Sequence, residues 1–396
     1  MELKVLHICN RVPFPARDGG SIGILNMIKT YYASGIICDV LAMNTYKSYV
    51  AEDELKQKPE CINKLWTIDI HNKINYVTLF FSLFRRTAYL IQRYSNNIFR
   101  DQLRDILLEY KYTHIIFEGI YVSSYLEICQ QMSKAKFILR AHNVEYEIWD
   151  RVAHSSFFVK KHIIQFLANQ LQANEKKISV AFDEVWAITT DDAQYFESIG
   201  CRHVKILPTH FEWVNHGTNK INFPPINYYH IGAMDWLPNI QAVNWFIEKV
   251  LPMVIERFSN INFHFAGLKM PTILFQRKSR NLEISGFVSN ITDFIATKDA
   301  LIVPLLSGSG LRLKIIEAMA AGKLVISSTI GMQGIDANPN IHYIRADTPK
   351  EWIAAIEKLN TSESDNEKMR MEAYKLVTKM YRLESFIEKR KYYFGV

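Results

Sequence analysis

The sequence predicts an α/β protein built from two doubly wound domains, each on a parallel sheet. Three observations predict it. Short apolar runs rich in β-branched residues alternate with amphipathic helical stretches through both halves of the chain, the pattern of a parallel sheet covered on both faces. The length, 396 residues, is long for one core and suits two. Between the halves, residues 208–226 mix Pro, Gly, Asn and Thr and include Pro224 and Pro225, the composition of a linker.

In the first half, strands are expected at 4–8, 38–43, 64–68, 113–117, 136–139 and 184–188, closed by 204–207. Helices are expected at 21–33, 97–109, 122–132, 157–179 and 191–199. The last of these follows Thr189, Thr190, Asp191 and Asp192, residue types that cap helix N-termini. In the second half the expected strands are 228–231, 262–266, 282–285, 300–304, 324–327 and 342–344. Pro238 suits the first turn of a helix at 239–250, where its missing N–H costs nothing. Residues 351–396 are mostly helical by composition.

A hydrophobic fraction of 48% fits a soluble globular enzyme, and no apolar run approaches the ~20 residues a membrane span needs. The chain opens directly on a strand-like run, MELKVLHI, so a cytoplasmic protein without a signal peptide is expected. Cys9, Cys38, Cys61, Cys129 and Cys201 are scattered, odd in number and without metal-ligand spacing, which reads as reduced thiols, with no zinc site and no disulfide framework. The net charge of +7 admits an anionic partner. No nucleic-acid motif or arginine-rich tract is present in the sequence, so nucleic acid ranks last among the partners. Segments 76–93 and 157–167 mix large apolar residues with Arg and Lys. They read either as basic amphipathic helices lying on an anionic membrane surface or as ordinary packed helices with basic ends.

The most informative stretch is 304–322, PLLSGSGLRLKIIEAMAAG. A buried strand ends in the loop Gly308, Ser309, Gly310, and a helix follows at once. Its first turn offers unpaired N–H groups and a positive dipole end beside Arg312 and Lys314, a setting that favours phosphate. Ile315, Ile316, Met319 and Ala320 share one face, while Lys314, Glu317, Ala318 and Ala321 share the opposite one. Lys314 and Glu317 therefore project together, as a cation for phosphate and a carboxylate for two hydroxyls, or else as a solvated surface ion pair. The combination suits a sugar nucleotide.

Further stretches accompany it in order: 13–20 (PFPARDGG), 140–145 (RAHNVE), 232–239 (GAMDWLPN), 286–288 (GFV) and 323–328 (KLVISS). Together with 310–322 they resemble the retaining family 4 glycosyltransferases, whose GT-B architecture sets two Rossmann-like, doubly wound domains facing each other across a cleft. The resemblance implies an acceptor-binding domain at 1–207, a linker at 208–226, a nucleotide-sugar-binding domain at 227–380, and a C-terminal helix at 381–396 crossing back to the first domain.

The resemblance also implies roles for residues. Glu317 would take the ribose hydroxyls, and Lys314 with Arg312 the diphosphate. Gly286, Phe287 and Val288 would meet the base, largely through backbone groups. Gly19, Gly20, Gly232, Gly308, Ser309, Gly310 and Leu311 would line the rest of the donor site. His142 would contact a sugar hydroxyl; a lone strand-end histidine is otherwise structural. Asp18, Glu118, Asn143 and Glu145 fall on the acceptor side, although Glu118 could equally cap a turn and Glu145, with Arg151, could brace a loop. No metal is implied. The expected reaction keeps the anomeric configuration, with the acceptor attacking on the face the diphosphate leaves. A saccharide or lipid-linked acceptor in surface-glycan synthesis, and a peripheral membrane location, complete the expectation.

Two departures stand out. Ser309 replaces a glutamate common in the family, and the loop after Gly232 carries no Arg or Lys before Lys249. They keep open a catalytically degenerate sugar-nucleotide binder, beside an epimerase or phosphorylase on the same fold.

Overall fold

The computed structural model describes residues 3–17, 19–73, 79, 88–154, 158–210, 221–277, 279–308 and 310–395, with the backbone alone for 158–160. Asp18, Ser309, residues 211–220 of the expected linker and most of 76–93 lie outside them. The chain divides into two compact units, Met1–Phe211 with Leu383–Val396, and Glu212–Arg382.

The first unit is built on β1 (Lys4–Cys9), β2 (Ile37–Thr45), β3 (Leu65–Ile70), β4 (His114–Glu118), β5 (Lys136–Ala141), β6 (Glu184–Ala187) and β7 (Val204–Ile206). Their order is β3-β2-β1-β4-β5-β6-β7, parallel throughout. The second unit holds β8 (Asn227–Ile231), β9 (Asn262–Ala266), β10 (Leu282–Gly286), β11 (Ala300–Val303), β12 (Leu324–Ser327) and β13 (Ile344–Arg345). Their order is β10-β9-β8-β11-β12-β13, again parallel. Every residue of β4 and β11 is buried, so ALIV of β11 and the Ile115–Phe117 middle of β4 read as continuous apolar runs rather than alternating ones. In each sheet the strand order reverses direction once, at β1/β4 and at β8/β11. Helix connections diverge there and leave a crevice at the carboxyl ends.

Three elements differ from expectation. The helix expected at 122–132 is a 3-10 segment, Ile120–Tyr125, followed by the helix Leu126–Met132. Gly119 precedes it at φ 91°, a turn that starts the winding early and that only glycine takes easily. The helix expected to end at 250 is Leu237–Trp245, which passes through a π turn, Phe246–Val250, into the helix Leu251–Arg257. Pro252 cannot donate to the carbonyl four residues back, so the ladder loosens by one residue where the proline enters. The strand expected at 342–344 is reduced to Ile344–Arg345, because Asn338 to Tyr343 fold into a turn in which Asn338 N–H donates to His342 Nδ1.

The helix Leu383–Phe394 belongs to the first unit. Phe386 is fully buried, stacked on Tyr393 at 5.5 Å and against Tyr31 at 5.5 Å. Phe394 meets Trp186 edge-on at 5.4 Å. All five cysteines are buried. No helix of the described residues is long and apolar enough to cross a membrane.

Candidate functional site

In the second unit, the side chains of interest gather at the carboxyl ends of β8 and β11. His230, at zero exposure in β8, donates from Nδ1 to the Ile302 carbonyl in β11 at 2.9 Å. Its Nε2 therefore carries a lone pair, and the Lys314 ammonium donates to it at 3.3 Å. Burial, then the Lys314 charge, holds the His230 imidazole well below its usual range, so it stays neutral. Lys314 donates also to Asn239 Oδ1 at 3.0 Å, while Asn239 Nδ2 donates to the Ala233 carbonyl at 2.9 Å. Two fixed acceptors thus aim one ammonium at the loop after β8. A Cβ on Gly232 would lie 2.8 Å from that ammonium and 2.6 Å from Asn239 Nδ2. The loop lacks a cation in sequence, but Lys314 brings one to it from the helix Leu313–Ala320.

Burial, then repulsion from Arg312, pulls Lys314 down to about 7. Burial pushes Glu317 up to about 7. Among the described residues no ion pair within 4.0 Å joins these two, so the surface-pair reading fails. The ammonium turns to His230 and Asn239, leaving the carboxyl one turn along the same helix.

Arg312 corrects an expectation. Its side chain is buried, donating from Nη1 to the Gly310 carbonyl and from Nη2 to the Ile330 carbonyl at 3.3 Å, with the guanidinium 5.8 Å from the Trp236 ring centre. A buried guanidinium bonded to these carbonyls shapes the glycine loop rather than standing free as a diphosphate clamp, and its charge acts on Lys314. Gly308 stands at φ 126° with Trp236 directly over it, where a Cβ would lie 2.8 Å from the ring, and Gly310 stands at φ 80°. Leu311 is half-buried at the loop's end. At the end of β10, Gly286 takes φ 69°, Phe287 is 68% exposed and Val288 is half-buried.

In the first unit, Gly19 and Gly20 open the helix Gly19–Ala33. Glu118, the last residue of β4, corrects a second expectation: it is fully buried, so it cannot touch an acceptor. Its Oε1 accepts from His7 Nδ1 at 2.9 Å, and its Oε2 from Arg140 Nη1 at 3.1 Å and His142 Nε2 at 2.7 Å. Burial alone would push this carboxyl up; Arg140 and the hydrogen bonds from His142 and His7 outweigh it and hold it well below the carboxylate range. Burial pulls His142 down despite its bond to Glu118, so it stays neutral.

Beside it, Glu145 accepts from Tyr121 Oη at 2.7 Å and Asn143 Nδ2 at 3.4 Å, and burial pushes its carboxyl up. Arg151 pairs with Glu147 at 2.6 Å. Glu175 takes the Glu145 backbone N–H at 3.1 Å, bracing the helix Glu145–His154 from the neighbouring helix Phe158–Ser179.

His7 and His230 escaped the sequence reading, and Arg140 entered it only as the first residue of the 140–145 motif, with no role of its own. Each is an ionisable residue inside an apolar strand, and such residues stay buried only when paired. That rule was the available signal.

Comparison with known proteins fits this geometry. Residues 226–362 match the family model for group 1 glycosyl transferases. An uncharacterised 44.6 kDa protein from the cps region of Klebsiella pneumoniae is 25% identical over 350 residues, 85% of either chain. A variant of S. aureus TarM, solved with UDP and α-GlcNAc-glycerol, superposes with a TM-score of 0.70 at 13% identity, covering 100% of both chains. Anabaena HepE, solved with UDP-glucose, gives 0.67 at 10% identity, again covering 100% of both. The fold shared with these structures is GT-B.

Proposed function

We propose, for a chain of GT-B fold whose residues 226–362 carry a group 1 glycosyltransferase domain, that it moves a hexose from a nucleoside-diphosphate donor to a saccharide or lipid-linked acceptor. The observation that carries this reading is the Lys314 ammonium, held by His230 and Asn239 at the β8/β11 crevice beside Gly232, with Glu317 one turn away. A fixed cation at that point stabilises the charge the diphosphate gains as the anomeric C–O bond breaks. The acceptor oxygen forms the new bond on the same face, so configuration is retained, and its proton passes to the departing phosphate. Lys314 supplies the electrostatic work that a metal would otherwise do, so the reaction proceeds without one. The cps-region relative supports a role in surface-glycan synthesis.

Calorimetry with UDP, GDP, ADP and CMP in the presence of EDTA tests the reading. One diphosphate is expected to bind selectively, and CMP to bind far more weakly. A folded protein that binds none of the four sinks the proposal and the sugar-nucleotide binder with it, whereas a protein that binds one diphosphate but never turns over its sugar donor with an acceptor leaves only the degenerate binder.

A lipid-linked acceptor would bring the enzyme to a membrane surface from the cytoplasmic side. The helix Phe158–Ser179 supports this in part, since Ile163 and Phe166 are exposed beside exposed Lys161; segment 76–93 lies mostly outside the described residues. Co-flotation with vesicles containing anionic lipid, lost on Ile163→Glu with Phe166→Glu, is the expected result. Failure to float would remove the membrane from the proposal and leave the transfer reading standing.

A further inference from the structure

Four ionisable side chains meet beneath the carboxyl ends of β1, β4 and β5, and three of them never reach solvent. His7, Glu118 and Arg140 have fully buried side chains, whereas the His142 side chain is 17% exposed. Arg140 also donates to Thr209 Oγ1 at 3.2 Å and to the Gly23 carbonyl at 3.5 Å. These bonds fix the guanidinium, and so the carboxylate it pairs with, against three separate elements. A charge-balanced pair of this sort holds Glu118 ionised, and an ionised carboxylate only accepts hydrogen bonds. Every nitrogen that touches it must therefore bring a proton.

For His142 that requirement settles the tautomer. Nε2, at 2.7 Å from Glu118 Oε2, carries the hydrogen, and Nδ1 carries the lone pair. Cδ2 of the ring lies 3.9 Å from the position a Cβ would take on Gly119. The Cδ2–Nε2 edge thus faces inward, and the Nδ1–Cε1 edge is the opposite one. The Gly119 turn, at φ 91°, holds that inner edge in place.

We propose that Glu118 is a positioning residue that locks His142 as the Nε2–H tautomer, so that Nδ1 offers a substrate hydroxyl an acceptor and never a proton. The hydroxyl's identity as a sugar group rests on the transfer reading above; the lock is a property of the protein alone. A neutral acceptor suits a sugar whose anomeric carbon gains positive character, since an imidazolium there would oppose the developing charge.

The test uses the full chain with 15N-labelled histidine and two-bond 1H–15N correlation near neutral pH. His142 is identified among the twelve histidines by the resonances lost in His142→Gln. In the wild type, Nε2 is expected to be protonated and Nδ1 to be pyridine-like. Glu118→Gln, whose amide donates as well as accepts, is expected to populate the second tautomer and lower kcat about tenfold or more with KM for the donor little changed. Glu118→Asp keeps the charge but withdraws the acceptor by one methylene; the tautomer holds, the Nε2–H resonance shifts, and most of the lost kcat returns.

A wild-type His142 that is Nδ1–H or doubly protonated overturns the proposal. So does a folded Glu118→Gln that leaves the tautomer untouched. Should that variant not fold, an unshifted Nε2–H in Glu118→Asp overturns it equally. If no donor is turned over, the kinetic arm falls with the transfer reading, while the spectra still decide the lock.

Discussion

Lys314→Ala is expected to weaken nucleoside-diphosphate binding by about 100-fold, near 3 kcal/mol, the scale of losing a charge-assisted contact to phosphate in a partly desolvated site. The loop after Gly232 has no cation of its own, and the Lys269 ammonium that reaches it is paired with Asp235 at 2.9 Å, so the Lys314 contact is not simply replaced. Its pH dependence carries a sign. Lys314 is pulled to about 7 in the free protein, and a diphosphate beside it raises that value again. Above about pH 7, binding must therefore take up a proton, and affinity falls by up to about tenfold per pH unit until the bound-state value is reached.

Glu317 gives the opposite limb. Pushed up to about 7, it takes on a proton as the pH falls below that value and loses acceptor capacity for the ribose hydroxyls. Affinity should peak near neutrality, with the two limbs belonging to the coupled pair. Lys314→Arg keeps its charge at every working pH, so the alkaline limb disappears even if the shape of the contact costs affinity. Calorimetry across pH in buffers of different ionisation enthalpy reads both the affinity and the proton uptake. A flat profile with intact binding would show that neither group meets the ligand.

Gly267→Ala is expected to cost the second unit about 1–3 kcal/mol or more and to depress nucleotide binding with it. A Cβ built on Gly267 would lie 1.7 Å from the Gly232 carbonyl oxygen, inside any contact distance. That carbonyl cannot retreat freely. Gly232 N–H donates to the Ala266 carbonyl at 3.1 Å, and Gly267 N–H donates to the Gly286 carbonyl at 2.7 Å. The three glycines lace the carboxyl ends of β8, β9 and β10 together, so displacing one moves the loop on which the Lys314 ammonium rests. Gly19→Ala is the comparison, because a Cβ there meets nothing within 4 Å. Thermal melting of both variants checks the difference, and equal melting temperatures would refute the packing argument.

The fold was legible because its strands are chemically simple. The Ile115–Phe117 run of β4 and ALIV of β11 each lie inside a parallel sheet, and a run buried on both faces has no polar alternation to misplace. The errors fall where one residue redirects the backbone: Gly119 ahead of the 3-10 segment, Pro252 at the π turn, and the turn at 338–343. Site residues divide in the same way. Lys314 and Glu317 were visible because helical spacing pairs them, and glycine loops because they interrupt apolar runs. His7 in β1, Glu118 in β4, and Arg140 with His142 at the end of β5 lie apart in sequence, and the sheet order brings them together. Arg312 looked like a ligand cation because spacing reports position along a helix, not the carbonyls that claim a side chain once the loop has closed.

The return of Leu383–Val396 to the first unit makes Glu212–Arg382 an uninterrupted insert, joined at both ends to a single host. Its six-stranded sheet and its own core are encoded by one continuous stretch, whereas the host needs both of its pieces to seal Tyr31 and Trp186 beneath Phe386 and Phe394. Two crossovers, one at each end of the middle segment, therefore exchange it whole with its own sheet and core, and under the transfer reading proposed above that piece is the donor side. A single crossover anywhere inside the insert, by contrast, draws the host's two pieces from different parents and breaks the match between Tyr31 and Trp186 on one side and Phe386 and Phe394 on the other.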